Sequence, residues 1–492
     1  MPYILALDEG TSSARSIIFD HNAREIAMHQ VPIACQFPND GWVEQDAEEI
    51  WLSQLSATHQ AIAKAGISIS EITSIGIANQ RETTIVWDRH TGKAISPAIV
   101  WQCRRTNEIC RQLLKDGHGP QINESTGLVV DPYFSATKIA WILDNVSGAR
   151  ERAQKGDLVF GTVDSWLIYK LTGGRSHLTD YSNASRTMLL NLHKGSWDDN
   201  LFQLLDIPTA MRPRVIPSSG VATTTDATIL GAEIPIAGIV GDQQSALFGQ
   251  MCFRKGFLKN TYGTGSFVLL HTGTKAVASN HKLLPTMAAV VSEQREYALE
   301  GSIFAAGATV KWLRDSLGIL KTASQSDEVA SSIADSAGVY LVPAFTGLGA
   351  PHWDSSARGV ITGLTRSSSK AHIVRAALEA IAYQTRELVE AMKSDTGTPL
   401  IEVRADGGAA ANNFLMQFQA DILGKPVVRP SYTETTALGS AFLAGLGTDI
   451  WQGTADLEGF WQVDRRFEPQ MTAKHREDLF QGWKCALEKA KT

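Results

Sequence analysis

The stretch LALDEGTSSARSIIFD, residues 5–20, decides the fold of this chain. Its turn is small and rich in hydroxyls, as in a phosphate-binding loop, but the apolar run that follows is short and β-branched, which is typical of a strand. The phosphate loops GxxxxGK[ST] and GxGxxG both lead into a helix, and neither pattern occurs in the chain. We therefore predict a β-hairpin with strands over residues 3–7 and 15–19, whose turn offers backbone N–H groups and the hydroxyls of Thr11, Ser12 and Ser13 to a phosphate.

A second segment, FLKNTYGTGSFVLLHTG (257–273), repeats this pattern of strand, small-residue turn and strand. Two hairpins of one kind predict two similar halves that clamp the phosphates of a nucleotide, and we place the boundary after residue 250. Residues 1–250 then carry the first hairpin, and residues 251–492 carry the second hairpin and a helical C-terminal tail. Helix and strand patterns alternate along the chain, with a long amphipathic helix over residues 371–392, so the fold class is α/β.

A third element, LIEVRADGGAAANNFLMQFQADILG (400–424), reads as a strand, a Gly-Gly turn and a helix that begins near Asn412 and ends before Gly424. Gly407 and Gly408 would let the backbone approach a flat group such as adenine or ribose. A simple turn before a helix is the alternative for this pattern.

The composition is that of an ordinary globular protein. The 492 residues are 43% hydrophobic and 20% charged, with a formal charge of -6, which argues against a nucleic-acid partner or an anionic membrane surface. Five cysteines form no CxxC pair, and we expect them to be reduced. The N-terminus has a short apolar run that Asp8 interrupts, which predicts neither a signal peptide nor membrane insertion. The expected location is the cytoplasm.

Further blocks carry a family resemblance from residue 4 to about residue 446. They are GIANQRETTIVWD (76–88), AIVWQCRRT (98–106), GLVVDPYFSATKIAWILD (127–144), FGTVDSWLIYKLT (160–172), GDQQSALFGQ (241–250), FTGLGAPHWD (345–354) and GLTRSSSKAHIVRAALEAIAYQTR (363–386). Together with the hairpins, they resemble the FGGY family of carbohydrate kinases, within the sugar kinase, heat-shock protein and actin superfamily.

The resemblance implies two ribonuclease H-like (actin-like ATPase) domains around a central cleft. It is strongest to the members that phosphorylate glycerol, so it implies the ATP- and Mg²⁺-dependent formation of sn-glycerol 3-phosphate. It also implies a homo-oligomer, either a dimer or a tetramer.

A phosphate and metal site follows from the resemblance at the first hairpin. Asp8 lies where the first strand ends and would hold Mg²⁺ through water, since Mg²⁺ keeps much of its hydration on a triphosphate. The turn and the strand after it match the contacts that the family makes to the ATP phosphates, through Thr11, Ser12, Ser13 and Arg15. The residues alone also permit ordinary roles: an Asp that caps its own turn and a solvated Arg.

The expected acceptor site takes its residues from several blocks. Asp242 matches the base that accepts the proton of the substrate hydroxyl, although a strand-end turn residue would look the same in the sequence. The residues that match the glycerol-binding positions of the family are Arg81, Glu82, Trp101, Tyr133, Asp242, Gln243 and Phe267. Without the resemblance, an exposed ion pair would explain Arg81 and Glu82, and ordinary core packing would explain the aromatic residues.

The nucleotide positions of the family match residues of the second half, namely Thr264, Gly307, Lys311, Gly408 and Asn412. Two residues depart from the pattern, because the family usually has Gln where this chain has Glu9 and Lys311. Glu9 would add a negative charge beside the phosphate turn, and Lys311 would contact a phosphate or ribose or point to solvent. The sequence decides neither case.

Two alternative functions stay open at this point. A sister kinase would act on a longer sugar such as xylulose or gluconate, but NQRETT (79–84) with Trp101 and Phe267 favours a small polyol. An actin-like nucleotide switch would need an added partner-binding domain, and only about 46 residues follow the last matching block. The sequence therefore favours a glycerol-phosphorylating enzyme.

Overall fold

The computed structural model describes residues 2–292, 294–354 and 356–491, and the chain divides into two compact units. The first unit comprises Met1–Met251, Thr286–Tyr297 and Thr435–Phe460. The second comprises Cys252–Pro285, Ala298–Glu434 and Trp461–Thr492. Two segments that follow residue 251 thus belong to the first unit, and the linear division after residue 250 stays a prediction.

The first unit is built on a six-stranded sheet in which the first hairpin is central. Strand Tyr3–Glu9 pairs antiparallel with Ser13–Asp20, with Asp8 opposite Arg15, and parallel with Ile72–Asn79. Strand Pro235–Gly241 pairs parallel with Ile72–Asn79 on its other side. The predicted hairpin is confirmed, and three strands of this sheet run in one direction.

The other elements of the first unit surround this sheet. The remaining strands are Glu25–Pro32, Glu44–Gln45, Ile85–Asp88, Ala98–Ile99, Leu158–Gly161, Leu178–Asp180, Leu190–Asn191, Ser196–Trp197, Arg214–Ile216 and Ser219–Thr224. The α-helices are Ala47–Ala65, Asn107–Lys115, Gly119–Thr126, Ser135–Asn145, Ala149–Gln154, Val163–Leu171, Tyr181–Ala184, Asp199–Leu204, Ala227–Leu230, Asp242–Gly249, Thr435–Gly447 and Thr454–Leu457. Three short 3₁₀ turns cover Ile69–Glu71, Thr209–Met211 and Glu458–Phe460.

Helix Thr435–Gly447 belongs to the first unit because glycines in the sheet let it approach closely. A Cβ atom at Gly76 would lie 2.2 Å from the carbonyl oxygen of Ser440, and one at Gly238 would lie 2.6 Å from the same oxygen. Only glycine permits this packing of helix on strand. The contact joins residues more than 190 positions apart, so a linear sequence pattern does not reveal it.

The second unit contains the second predicted hairpin and the long helix. Consecutive strands of its sheet are Ser266–Gly273, Phe257–Tyr262, Glu402–Asp406, Val427–Pro430 and Val463–Phe467. Two further strands, Tyr340–Val342 and Val360–Thr362, pair with each other. Two strands, Leu284–Met287 and Tyr297–Ile303, each contain residues of both units. The helices are Gly307–Asp315, Gln325–Ser331, Lys370–Thr396, Asn413–Leu423 and Ala473–Glu488, with a 3₁₀ turn at Gly408–Ala411.

The predicted α/β class is confirmed in both units. Helix Lys370–Thr396 contains the predicted amphipathic helix and ends at Gly397 in the left-handed conformation, with φ 59°. Among the residues that the structure describes, no helix combines the length and the apolar composition needed to span a bilayer.

Candidate active site

The charged residues predicted for the acceptor site lie, together with Asp8, at one edge of the first unit's sheet. The parallel strands Tyr3–Glu9, Ile72–Asn79 and Pro235–Gly241 end in register, with Glu9 and Gly241 both opposite Asn79. Asp8, the Arg81–Glu82 turn and Asp242 therefore come together at the carboxyl ends of neighbouring strands. Ligands commonly bind at this edge in α/β sheets.

Arg81 and Asp242 form an ion pair at this edge. The Arg81 Nε atom lies 3.1 Å from Asp242 Oδ1, and a terminal nitrogen of the same guanidinium donates to Gln244 Oε1 at 3.2 Å. A Cβ atom at Gly241 would lie 2.6 Å from Arg81 Cδ, so glycine at this position is what lets the arginine reach the carboxylate. Arg81 thus fixes the orientation of Asp242.

Glu82 is held in an unusual backbone conformation. It is a non-glycine residue with φ 61°, a left-handed conformation that costs free energy and recurs at functional sites. Its carboxylate accepts a hydrogen bond from Arg186 Nε at 2.6 Å, and both side chains are almost fully buried. The alternative of an exposed Arg81–Glu82 ion pair is wrong, because both residues are buried at the strand edge.

Asp242 is the most accessible of the charged groups at this edge. Its side chain is 28% exposed, against 2% for Arg81. Oδ1 accepts the backbone N–H of Gln243 at 2.7 Å, and the Gln243 side chain donates to Oδ2 at 3.2 Å. The carboxylate is thus fixed by its neighbours and still open to a small molecule.

Two of the predicted aromatic residues pack together beside the first hairpin. The rings of Trp101 and Tyr133 meet edge to face with centroids 5.7 Å apart, and the Trp101 indole N–H donates to Thr11 Oγ1 at 2.9 Å. The Tyr133 ring also lies under the Arg186 guanidinium, 5.4 Å from its central carbon. Phe267 lies in the second unit, half-buried in strand Ser266–Gly273.

The two strands of the first hairpin place Asp8 and Arg15 side by side, next to the predicted phosphate turn. The Arg15 guanidinium lies 2.5 Å from the Asp8 carboxylate, which is 3% exposed. Ser13 Oγ accepts a hydrogen bond from Gln30, whereas Ser12 is exposed. No group of three or more acidic, His or Cys side chains in the described part of the chain could hold a metal. One carboxylate with water and phosphate oxygens suits Mg²⁺, which rarely uses an all-protein cage.

Glu9 points away from Asp8, because successive residues of a strand face opposite sides. It is fully buried, and neither carboxyl oxygen has a hydrogen-bond partner in the structure. Burial, with a smaller contribution from the Asp8 charge, raises the pKa of Glu9 well above its usual value. Burial therefore disfavours the charged form of Glu9, the form that would add a negative charge beside the turn.

All five predicted nucleotide residues line one cavity of the second unit. The cavity has a volume of about 540 Å³, and its lining includes Thr264, Gly307, Lys311, Gly408 and Asn412. Its walls come from the second hairpin, from the start of helix Gly307–Asp315 and from the Gly-Gly turn. The size suits a small ligand.

The cavity walls depend on glycines and on a helix cap. A Cβ atom at Gly307 would lie 2.6 Å from the Gly263 carbonyl oxygen, whereas one at Gly408 would meet nothing within 4 Å. Asn412 caps helix Asn413–Leu423, with its Oδ1 atom accepting the Leu415 N–H at 2.8 Å. Lys311 is exposed on the cavity rim.

Sequence reasoning missed three residues that contact the predicted acceptor-site residues Arg81 and Glu82, namely Arg186, Gln244 and Lys138. Arg186 lies in an otherwise polar loop with no motif, so nothing local marks it. A signal was available for Lys138, because it interrupts the apolar stretch FSATKIAWIL (134–143). It is fully buried, and burial lowers the pKa of its ammonium group to about 7.

Comparison with known proteins defines the class. The model of the FGGY family of carbohydrate kinases matches residues 3–249 with its N-terminal domain and residues 258–448 with its C-terminal domain. The chain belongs to the FGGY family of carbohydrate kinases, as its motifs predicted.

Relatives with assigned names are similar over the whole chain. The chain is 57% identical to the glycerol kinase of Caldanaerobacter subterraneus over 99% of this chain and 98% of that protein. It is 56% identical to glycerol kinase 2 of Thermotoga maritima over 100% and 99% of the two chains. Among solved structures, that of Plasmodium falciparum glycerol kinase with ADP has a TM-score of 0.95 at 34% identity, covering 100% of this chain and 98% of that one.

Proposed function

We propose that this chain transfers the γ-phosphoryl group of ATP to a terminal hydroxyl of glycerol and forms sn-glycerol 3-phosphate. The observation that carries the proposal is the convergence of Asp8, Arg81, Glu82 and Asp242 at one sheet edge. Relatives at 56–57% identity over nearly the whole chain are named glycerol kinases, which supports the choice of acceptor.

In this proposal, Asp242 orients the reacting hydroxyl and accepts its proton late in the transfer. Phosphoryl transfer depends on positioning and charge stabilisation more than on a strong base, so a carboxylate that is paired with Arg81 is suitable. Glu82 accepts hydrogen bonds from a glycerol hydroxyl, and Arg81 donates to another. Trp101 contacts the carbon side of the polyol, a role that the family resemblance also implies for Phe267, and Tyr133 and Gln243 supply polar contacts.

The phosphates and their metal ion are bound at the first hairpin, by Asp8, Arg15 and the hydroxyls of Thr11, Ser12 and Ser13. Asp8 would hold Mg²⁺ through water, and the ion supplies neutralisation of phosphate charge when it is bound. The cavity of the second unit binds the adenosine part of ATP. The family resemblance further leads us to propose a homo-oligomer in the cytoplasm, which light scattering and cell fractionation test.

A coupled ADP-release assay with a panel of acceptors tests the proposed substrate. We expect kcat/KM for glycerol to exceed those for xylulose, ribulose and gluconate by at least about tenfold, because a site sized for three carbons excludes longer chains. Equal values for a five-carbon sugar would remove the glycerol assignment. The Asp242→Asn protein, purified in the same way, corrects for contaminating kinases. ADP release without any acceptor, at the same rate, would favour the nucleotide switch.

Substitution at Gly408 tests the adenosine cavity. A side chain fits here without a backbone clash, so Gly408→Leu should fold and fill part of the cavity. We expect KM for ATP to rise about tenfold while KM for glycerol changes less than about twofold. Gly459→Leu is the matched control, since Gly459 also lies in a 3₁₀ turn with open space around it. Equal KM values for ATP in both variants would place the nucleotide elsewhere.

A further inference from the structure

Lys138 is a fully buried cation that binds backbone carbonyls. Its Nζ atom donates to the carbonyl oxygens of Tyr133, of Phe134 at 3.2 Å and of Glu82 at 3.4 Å. These three carbonyls are the hydrogen-bond acceptors of the ammonium group, and the charges of Glu82 and Asp131 act on it as well. Its direct partners therefore come from two chain segments, the Glu82 turn and the segment before helix Ser135–Asn145.

These two segments carry side chains of the proposed glycerol site. Glu82 supplies the carboxylate, in the strained conformation with φ 61°, and Tyr133 supplies the phenol. The Lys138 ammonium group donates one hydrogen bond to the backbone carbonyl of Glu82 and another to the backbone carbonyl of Tyr133. It thus links the backbone of the two segments that carry these side chains.

The Glu82 carbonyl does not need a lysine to be satisfied. The Glu82 carbonyl already accepts hydrogen bonds from Thr84 Oγ1 at 2.9 Å and from Ser135 Oγ at 3.2 Å. A buried ammonium loses its hydration, and in the first turn of a helix it also meets the unfavourable end of the helix dipole. Lys138 therefore occupies this position at a cost in stability.

We propose that Lys138 is a positioning residue that holds Glu82 and Tyr133 in the geometry needed to bind glycerol. The inference rests on the proposed function, because it concerns the same acceptor site. It predicts a defect that is specific to the acceptor and spares the nucleotide.

Lys138→Met and Lys138→Gln in the full chain test the proposal. Met has a similar length and no donor, whereas Gln keeps two N–H donors on a shorter side chain. We expect KM for glycerol to rise about tenfold in Lys138→Met and about threefold in Lys138→Gln, with KM for ATP within about twofold of wild type in both. Quenching of tryptophan fluorescence by glycerol, without nucleotide, should show the same order of affinities.

Ile142→Ala is the control for a purely structural effect. Ile142 is fully buried one turn further along the same helix, and its truncation lowers the melting temperature without removing a donor. We expect its KM for glycerol to stay within about twofold of wild type. An equal rise in this control, or an unchanged KM in Lys138→Met, would overturn the proposal.

Thr84→Val keeps the proposal testable if Lys138→Met does not fold. It removes another donor to the Glu82 carbonyl, and we expect an increase of about threefold in KM for glycerol. Unchanged KM values in Thr84→Val and Lys138→Gln would overturn the proposal. A wild-type protein that does not phosphorylate glycerol would instead contradict the proposed function, so the two failures are distinct.

Discussion

Asp242→Asn is expected to lower kcat for glycerol by about 10²- to 10⁴-fold and to leave KM for ATP within about threefold of wild type. The amide oxygen can still face Arg81 Nε and accept the Gln243 backbone N–H, which lie 3.1 and 2.7 Å from Oδ1 in the wild type. The amide therefore still orients a hydroxyl, but it cannot take its proton. Steady-state kinetics with each substrate varied in turn measure both constants.

Asp199→Asn is the matched control for this substitution. Like Asp242, Asp199 is the first residue of a short helix in the first unit, but its side chain is 74% exposed. The change removes the same charge from the same helical position, so it reports any effect of the helix dipole. A kcat of Asp242→Asn close to that of the control would show that the base lies elsewhere.

Arg81→Ala is expected to raise KM for glycerol about 30- to 100-fold and to lower kcat about tenfold. The increase in KM follows from the loss of a charged donor to the polyol. The fall in kcat follows from the structure, because Arg81 also orients the Asp242 carboxylate. Arg81→Lys should lie between wild type and Arg81→Ala, since Lys keeps the charge but not the fork of donors.

Arg175→Ala controls for the loss of an arginine from the first unit. Arg175 is 51% exposed and pairs with Asp226 at 3.5 Å, so its removal should change neither constant by more than about twofold. If Arg81→Ala left KM for glycerol unchanged, Arg81 would not be part of the acceptor site. If Arg81→Ala raised KM for glycerol but left kcat unchanged, Arg81 would bind glycerol without orienting Asp242 for catalysis.

The elements that local patterns specify could be predicted from the sequence. The first hairpin, helix Lys370–Thr396 and the Gly-Gly turn before helix Asn413–Leu423 follow from strand and helix periodicity and from glycine positions within short segments. The family motifs located the groups that converge at the sheet edge. Their convergence follows from parallel pairing of strands whose ends carry those motifs.

What could not be predicted depends on contacts between distant residues. Arg186 binds Glu82 across 104 positions, and helix Thr435–Gly447 packs on the first unit's sheet because Gly76 and Gly238 leave room for it. The raised pKa of Glu9 is also largely nonlocal, since burial is its main cause and the charge of the neighbouring Asp8 adds less. Each of these features needs the tertiary structure.

Phosphorus NMR of the product is the most direct test of the proposed activity. The purified chain is incubated with ATP, Mg²⁺ and glycerol, and the product is then offered to a dehydrogenase specific for sn-glycerol 3-phosphate. We expect the γ-phosphate signal of ATP to be replaced by one phosphomonoester signal, with ADP formed in equal amount and the product fully oxidised by the dehydrogenase. Inorganic phosphate as the only new signal, or a phosphomonoester that the dehydrogenase does not oxidise, would contradict the account.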